Sequence, residues 1–183
     1  MTTRDLVLAA TFAALIVALG AVPAVPLAFI PVPITLQSLG VMLAGAVLGP
    51  WRGALAPALV VLLVIIGLPV LAGGRGGLVV LTGPTAGYLL GWIPGAFVTG
   101  LLAQRAAART GWLPFAERLA GCILGGIVVV HLLGIVWLAS VTGLPIGKAA
   151  WGSLAFLPGD LLKAGLAAWV ATSLGRVRVL APR

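Results

Sequence analysis

Two charged residues near the C-terminal end of the sequence are the first that could do chemistry. Asp160 and Lys163 lie within the apolar string LPGDLLKAGLAAW. Because they are three positions apart, their side chains project from one face of a helix and can pair. Either charge costs about 2.5–3.5 kcal/mol at the centre of a membrane-spanning helix. The pair is therefore either a structural ion pair that ties its helix to a neighbour or part of a site for a polar solute.

A third charge, Arg75, lies within the glycine cluster GGRGG. Glycines allow a ligand to approach the backbone closely, and an arginine can bind a carboxylate through two parallel hydrogen bonds; a solvated loop arginine is the alternative. Neutral polar groups lie near the ends of apolar segments and could line the same pocket. The candidate ligand-binding residues are Asp160, Lys163, Arg75, Tyr88, Thr85 and Gln37.

Catalytic and metal sites are not expected. Ser153, His131 and Asp160 supply the residue types of a hydrolase triad, but no nucleophile-elbow pattern surrounds Ser153. His131 is the only histidine, so we expect a hydrogen bond to a neighbouring helix rather than a metal ligand. The string GLPIGKA lacks the Ser or Thr that a P-loop requires. We predict no catalytic residue, no metal, no cofactor and no ATP site.

The composition indicates the class of protein in which these residues lie. Of 183 residues, 62% are hydrophobic and 8% charged, and the mean hydropathy is +1.25. Soluble domains carry about 25% charged residues, so a water-soluble globular domain is excluded, and so is a disordered chain. A spanning helix takes about 20 residues. Six spans therefore use up the length, as a single membrane domain over residues 1–183.

Glycines and prolines divide the chain into six apolar segments. We predict an all-α integral membrane protein with six transmembrane helices, at about 5–23, 34–49, 53–72, 84–104, 117–140 and 158–175. The stretches 22–33, 73–83 and 141–157 are predicted to be irregular apolar loops at one face of the helical bundle.

The basic residues predict the orientation. With a cytoplasmic N-terminus, the inner side carries Arg4, Arg52, Arg105, Arg109, Arg118, Arg176, Arg178 and Arg183, whereas the outer loops carry only Arg75 and Lys148. Basic residues stay on the cytoplasmic side, so both termini are predicted to be cytoplasmic and the irregular loops to lie outside. The formal net charge of +8 therefore indicates membrane topology and not a nucleic-acid partner.

Small residues recur at helix-packing spacing in the first segment. Ala10, Ala14 and Ala18 follow one another at intervals of four, and such rows let helix backbones approach closely. Internal packing and a contact with an external partner helix both fit this row.

Three strings resemble a known family. VPITLQSLGVMLAGAVLGPWRG (32–53), LTGPTAGYLLGW (81–92) and FLPGDLLKA (156–164) are similar to the BioY family, the biotin-specific substrate-capture (S) components of energy-coupling-factor (ECF) vitamin transporters. The resemblance covers essentially the whole chain, although Ala86 stands where the family commonly has glycine.

The resemblance implies a six-helix protein in a bacterial-type cell (inner) membrane that binds biotin near its outer face. It implies a coupling transmembrane subunit and cytoplasmic ATPases as partners, with the alanine row of helix one contacting the coupling subunit. Asp160 would accept ureido N–H bonds, and Lys163 or Arg75 would hold the carboxylate. The alternatives are an S component for another vitamin, a structural membrane subunit without a ligand, and a small membrane enzyme.

Overall fold

The computed structural model describes residues 2–106 and 110–175, and this part of the chain is built from helices. Within it no β-strand forms, and only two isolated β-bridges occur. A π-helical stretch, Cys122–Val129, and a 3-10 turn, Leu154–Phe156, connect some of the α-helices. The helices are α1 (Thr3–Gly20), α2 (Gln37–Leu48), α3 (Pro50–Ile65), α4 (Val79–Thr82), α5 (Ala86–Ala106), α6 (Leu113–Gly121), α7 (Val130–Thr142), α8 (Ile146–Ser153) and α9 (Leu157–Gly175). Arg109, Arg176, Arg178 and Arg183 lie outside the described residues.

Local sequence signals account for several helix ends. Thr2 and Asp5 form a reciprocal cap at the start of α1, with the Asp5 carboxylate accepting from the Thr2 amide at 2.8 Å. Gly49 has a φ of +82° and precedes Pro50. Since glycine tolerates this backbone and proline favours the first helical turn, α2 ends and α3 begins within two residues.

Each of the six predicted segments contains a helix, but some boundaries differ. The third segment was expected to reach residue 72, whereas α3 ends at Ile65, because Gly67 takes a φ of +99° and turns the chain away. The stretch 141–157 is not irregular, since it holds α8 and a 3-10 turn. Pro145 stands at the N-cap of α8, where its missing N–H interrupts nothing. Likewise, α4 lies within the stretch 73–83.

Four helical runs are long and apolar enough to cross a membrane in the part of the chain that the structure describes. They are Thr3–Gly20, Ala86–Ala106, Leu113–Thr142 and Ile146–Gly175, and α2 and α3 are shorter apolar helices. Large apolar side chains such as Leu132, Leu162 and Trp169 are exposed on the outside of the bundle. Such a surface requires an apolar environment, so this is a multi-pass membrane protein.

Helix α5 lies at the centre and packs against α2, α3, α6, α7 and the π-helical stretch. Gly125 makes one of these contacts possible, because a Cβ there would collide with the backbone carbonyl oxygen of Gly95. On α1, Ala9, Ala13 and Ile16 are buried against the bundle. The alanine row on α1, which comprises Ala10, Ala14 and Ala18, lies on the exposed face.

Candidate functional site

A single pocket brings together the polar residues that the sequence analysis singled out. The empty space in it, including the part open to the surroundings, is about 660 Å³. All six candidate residues line it: Gln37, Arg75, Thr85, Tyr88, Asp160 and Lys163. Apolar walls are contributed by Val32, Leu71, Leu89, Trp92, Val130 and Phe156. The pocket therefore has an apolar lining with a few polar groups that converge on it.

The Asp160–Lys163 pair lies in the wall formed by the first turns of α9. Both residues are buried, with 5% and 8% of their surfaces exposed, and Lys163 Nζ lies 2.9 Å from Asp160 Oδ1. Lys163 also donates to the Thr35 carbonyl oxygen at 2.7 Å and to Ser38 Oγ at 3.0 Å. These bonds tie α9 to the start of α2 and use all three ammonium donors. The pair thus connects two helices, as a structural ion pair would, and it also faces the pocket.

Gln37, at the start of α2, is 1% exposed, and its amide is engaged with the backbone. Its Nε2 donates to the carbonyl oxygens of Ile16 and Val70, at 3.2 and 3.1 Å, and its Oε1 accepts from the Ala72 amide at 2.9 Å. The side chain therefore connects the end of α1 with the loop that follows α3.

The Arg75 side chain is held by that same loop. A tight turn returns the chain from Leu71 to Arg75 through Gly73 and Gly74, whose φ values are +79° and +70°. Arg75 Nε donates to the Ala72 carbonyl oxygen at 3.2 Å, so the residue that Gln37 holds also positions Arg75. Burial lowers the pKa of the Arg75 guanidinium below its usual value, but arginine stays charged.

Aromatic side chains and one hydroxyl pair close another side of the pocket. Ser153 Oγ donates to the Ala149 carbonyl oxygen at 2.8 Å and therefore accepts from the Tyr88 hydroxyl, 2.6 Å away. This bond joins α8 to α5. The rings of Tyr88, His131 and Phe156 meet edge to face, with centroids 5.7–5.9 Å apart.

We expected His131 to form a hydrogen bond to a neighbouring helix, and this expectation was wrong. Its Nδ1 is hydrogen-bonded at 2.9 Å to the carbonyl oxygen of Ile127, in its own helical run and not in a neighbouring helix. The reason is the spacing of four residues, which places that carbonyl within reach. Its Nε2 faces Asp160 Oδ2 at 3.6 Å. Ser153 is bonded to Tyr88 and Ala149 and not to the imidazole, so the three triad residue types do not form a relay.

Several pocket residues were not predicted from the sequence. Thr35 contributes through its backbone carbonyl, which leaves no residue-type signal. Ser38 and Phe156 carried usable signals: Ser38 follows Gln37 directly, and Phe156 precedes Asp160 by one helical turn. Within residues 2–106 and 110–175, no group of three His, Cys, Asp or Glu side chains is positioned to hold a metal ion.

Comparison with known proteins places the chain in a family. Residues 1–179 match the model of the BioY family. The chain is 58% identical over 170 residues to the biotin transporter BioY of Rhizobium etli, covering 92% of this chain and 91% of that protein. The corresponding protein of Rhodobacter capsulatus is 54% identical, with 96% and 95% of the two chains covered.

A solved structure agrees with these relatives. It is the crystal structure, at 2.1 Å, of the S-component for biotin from an ECF-type ABC transporter. It matches with a TM-score of 0.87 and 36% identity, over 97% of this chain and 94% of that one. These relatives are transport proteins and not enzymes. The resemblance seen in the three sequence strings is thus confirmed: this chain belongs to the BioY family.

Proposed function

We propose that this chain binds biotin at the outer face of the membrane and mediates its uptake, as the substrate-specific subunit of an ECF-type vitamin transporter. The observation that carries the proposal is the buried Asp160–Lys163 pair beside an apolar pocket that Arg75 also lines. The relatives named biotin transporter BioY support the choice of solute. No cofactor is needed for capture, and biotin is the transported ligand.

The chemistry of biotin suits this pocket. Its ureido group both donates and accepts hydrogen bonds, its bicyclic ring and tail are apolar, and its carboxylate is anionic. Asp160 Oδ2 makes no hydrogen bond with the described residues and can accept a ureido N–H. Lys163 Nζ, beside it, can exchange one of its present acceptors for the ureido oxygen. Apolar walls that include Trp92 and Phe156 would surround the ring.

We assign the biotin carboxylate to Arg75. Lys163 is assigned to the ureido oxygen, whereas Arg75 uses only Nε for its hydrogen bond to Ala72. The terminal nitrogens of the guanidinium can then form the two parallel bonds that suit a carboxylate. Thr85, Tyr88 and Gln37 complete the proposed site as wall residues.

The function and the site can be tested together by equilibrium binding of labelled biotin to the purified, detergent-solubilised chain. Excess biotin should displace the label, and thiamine and riboflavin should not. Asp160→Asn and Lys163→Ala should each weaken binding tenfold or more, a loss of at least about 1.4 kcal/mol. Lys148→Ala is the matched control, because Lys148 is exposed and lies outside the pocket.

The outcomes separate the two assignments. If the folded wild-type chain does not bind biotin, the proposed function is wrong. If it binds biotin and both Asp160→Asn and Lys163→Ala bind as tightly as the wild type, only the site assignment is wrong.

We further propose six membrane spans, formed by α1, α2, α3, α5, the run α6–α7 and α9, in a bacterial inner membrane. Both termini are cytoplasmic and the pocket opens outward. Arg4, Arg52, Arg105 and Arg118 lie near one end of their helical runs, and the pocket lies toward the other end. Their clustering on the side away from the pocket supports this orientation. The whole chain, residues 1–183, forms one membrane domain.

The proposed partners are a coupling transmembrane subunit and a pair of cytoplasmic ATPases, with the lipid bilayer around the rest. Two observations support them. The structural neighbour is the S-component of an ECF-type ABC transporter, and the exposed alanine row on α1, residues Ala10, Ala14 and Ala18, offers a close-packing surface. We assign the contact with the coupling subunit to this row. No nucleic acid takes part.

A further inference from the structure

The hydrogen bond that His131 makes to its own helix fixes the chemistry of its other nitrogen. Nδ1 lies 2.9 Å from the Ile127 carbonyl oxygen, and a carbonyl oxygen only accepts, so Nδ1 carries a hydrogen. In a neutral imidazole, Nε2 then carries a lone pair and accepts hydrogen bonds. Ile127 belongs to the π-helical stretch Cys122–Val129, and such irregular turns recur at functional sites.

Nε2 is buried and has no hydrogen-bond partner among the described residues. Asp160 Oδ2 lies 3.6 Å from it, a distance too long for a hydrogen bond. The rings of Tyr88 and Phe156 hold the imidazole edge to face on its other sides. A neutral imidazole and a carboxylate that face each other across this gap are two acceptors, and a shared hydrogen must come from a donor outside the pair. Both residues line the pocket.

We propose that His131 Nε2 is a ligand-binding acceptor that shares one N–H of a cyclic urea with Asp160 Oδ2. This proposal rests on the proposed function and deepens it. Lys163 Nζ bonds Asp160 Oδ1, and Asp160 Oδ2 faces His131 Nε2. Along this wall of the pocket, one donor (Lys163 Nζ) is therefore followed by two acceptors (Asp160 Oδ2 and His131 Nε2). A urea presents the complement along one edge, its carbonyl oxygen and the adjacent N–H. His131 thus makes the site specific for a ring with an N–H at this position.

The proposal distinguishes the two ureido nitrogens of biotin, because only one of them contacts His131. We would measure the affinities of biotin and of its two N-methyl derivatives for the purified chain and for His131→Phe, which keeps a ring but loses the acceptor. His131→Phe should weaken biotin binding about tenfold. His131→Phe should not weaken binding of the derivative that is methylated at the contacted nitrogen, because that derivative has no N–H to donate there. It should weaken binding of the other derivative as much as it weakens binding of biotin.

The control is Leu132→Phe, which places the same ring one residue along on the outside of the bundle, where Leu132 is 60% exposed. It should bind all three ligands as the wild type does. If His131→Phe binds biotin with wild-type affinity, or weakens all three ligands equally, the proposal is overturned, since an equal loss indicates a packing role.

A second measurement needs no variant. Because His131 is the only histidine, ¹⁵N-histidine labelling gives one imidazole, and its Nε2 resonance should move on addition of biotin as the lone pair accepts a hydrogen bond. An Nε2 resonance that stays unchanged while biotin binds overturns the proposal for His131 and leaves the proposed function intact. A wild-type chain that does not bind biotin overturns both.

Discussion

At the scale of single residues, Gln37 contributes to the pocket mainly by holding backbone segments in place. Its three amide hydrogen bonds join the Ile16, Val70 and Ala72 backbones, and Ala72 in turn accepts from Arg75. We therefore assign Gln37 a positioning role: it holds the loop that presents the guanidinium to the ligand carboxylate.

Replacing Gln37 with leucine should lower the free energy of unfolding by at least about 2 kcal/mol, because it leaves the Val70 carbonyl oxygen and the Ala72 amide without their partner. The Ile16 carbonyl oxygen lies inside α1 and keeps its bond within the helix. Thermal unfolding in detergent measures this loss. Gln104→Leu is the matched control, since Gln104 is exposed, and it should have little effect.

The positioning role predicts a second result. Gln37→Leu should weaken biotin binding in the wild-type background and add no further loss in Arg75→Ala, where the group that it positions is absent. Equal losses of affinity in both backgrounds would contradict the positioning role and leave only a structural one.

The residue types that are costly in a membrane were the ones that the sequence could identify. Asp160, Lys163 and Arg75 stand out because few charges interrupt the apolar segments, and all three line the pocket. The partners of Gln37 and His131 could not be predicted in this way. Those partners are backbone groups, which every residue carries, so only the folded chain shows which of them come within reach.

At the scale of helices, glycine and proline located most of the segments and also caused the main error. Gly49 and Pro50 mark the junction of α2 and α3. The same residue types in the stretch 141–157 suggested a loop, but Pro145 stands at the N-cap of α8 there. The effect of a proline depends on whether it precedes a helix or interrupts one, and composition alone does not distinguish the two cases.

The exposed alanine row on α1 leads to a prediction about coupling. Ala14→Trp should abolish biotin uptake by cells that contain the complete transporter, because an indole prevents close approach of a partner helix. It should leave biotin binding to the purified chain unchanged, since Ala14 lies on the exposed face of α1 and outside the pocket.

Leu162→Trp on α9 is the control for adding an indole to the exposed surface, because Leu162 is 77% exposed. It should support normal uptake. If Ala14→Trp transports biotin at the wild-type rate, the alanine row is not the coupling surface.

At the scale of the whole molecule, the two ends of the bundle differ in their charged and polar groups. Asp5 and Arg52, in the first turns of α1 and α3, form an ion pair at 3.2 Å. The other ends of these helices approach the pocket, where Gln37 bonds Ile16 of α1 and Val70 beyond α3. The ion pair and the pocket therefore lie at opposite ends, and the proposed orientation places Arg52 in the cytoplasm and the pocket outside.

Single cysteines test this orientation without changing any charge. Cys122 is buried and can be replaced by alanine. In that background Gly147→Cys lies in α8 at the pocket end, and Thr110→Cys precedes α6 at the opposite end; both positions are exposed. In right-side-out spheroplasts, a membrane-impermeant maleimide should label Gly147→Cys at once and Thr110→Cys only after permeabilisation. Because biotin must enter from outside, the reverse pattern would mean that the pocket faces the cytoplasm, which is incompatible with capture for uptake.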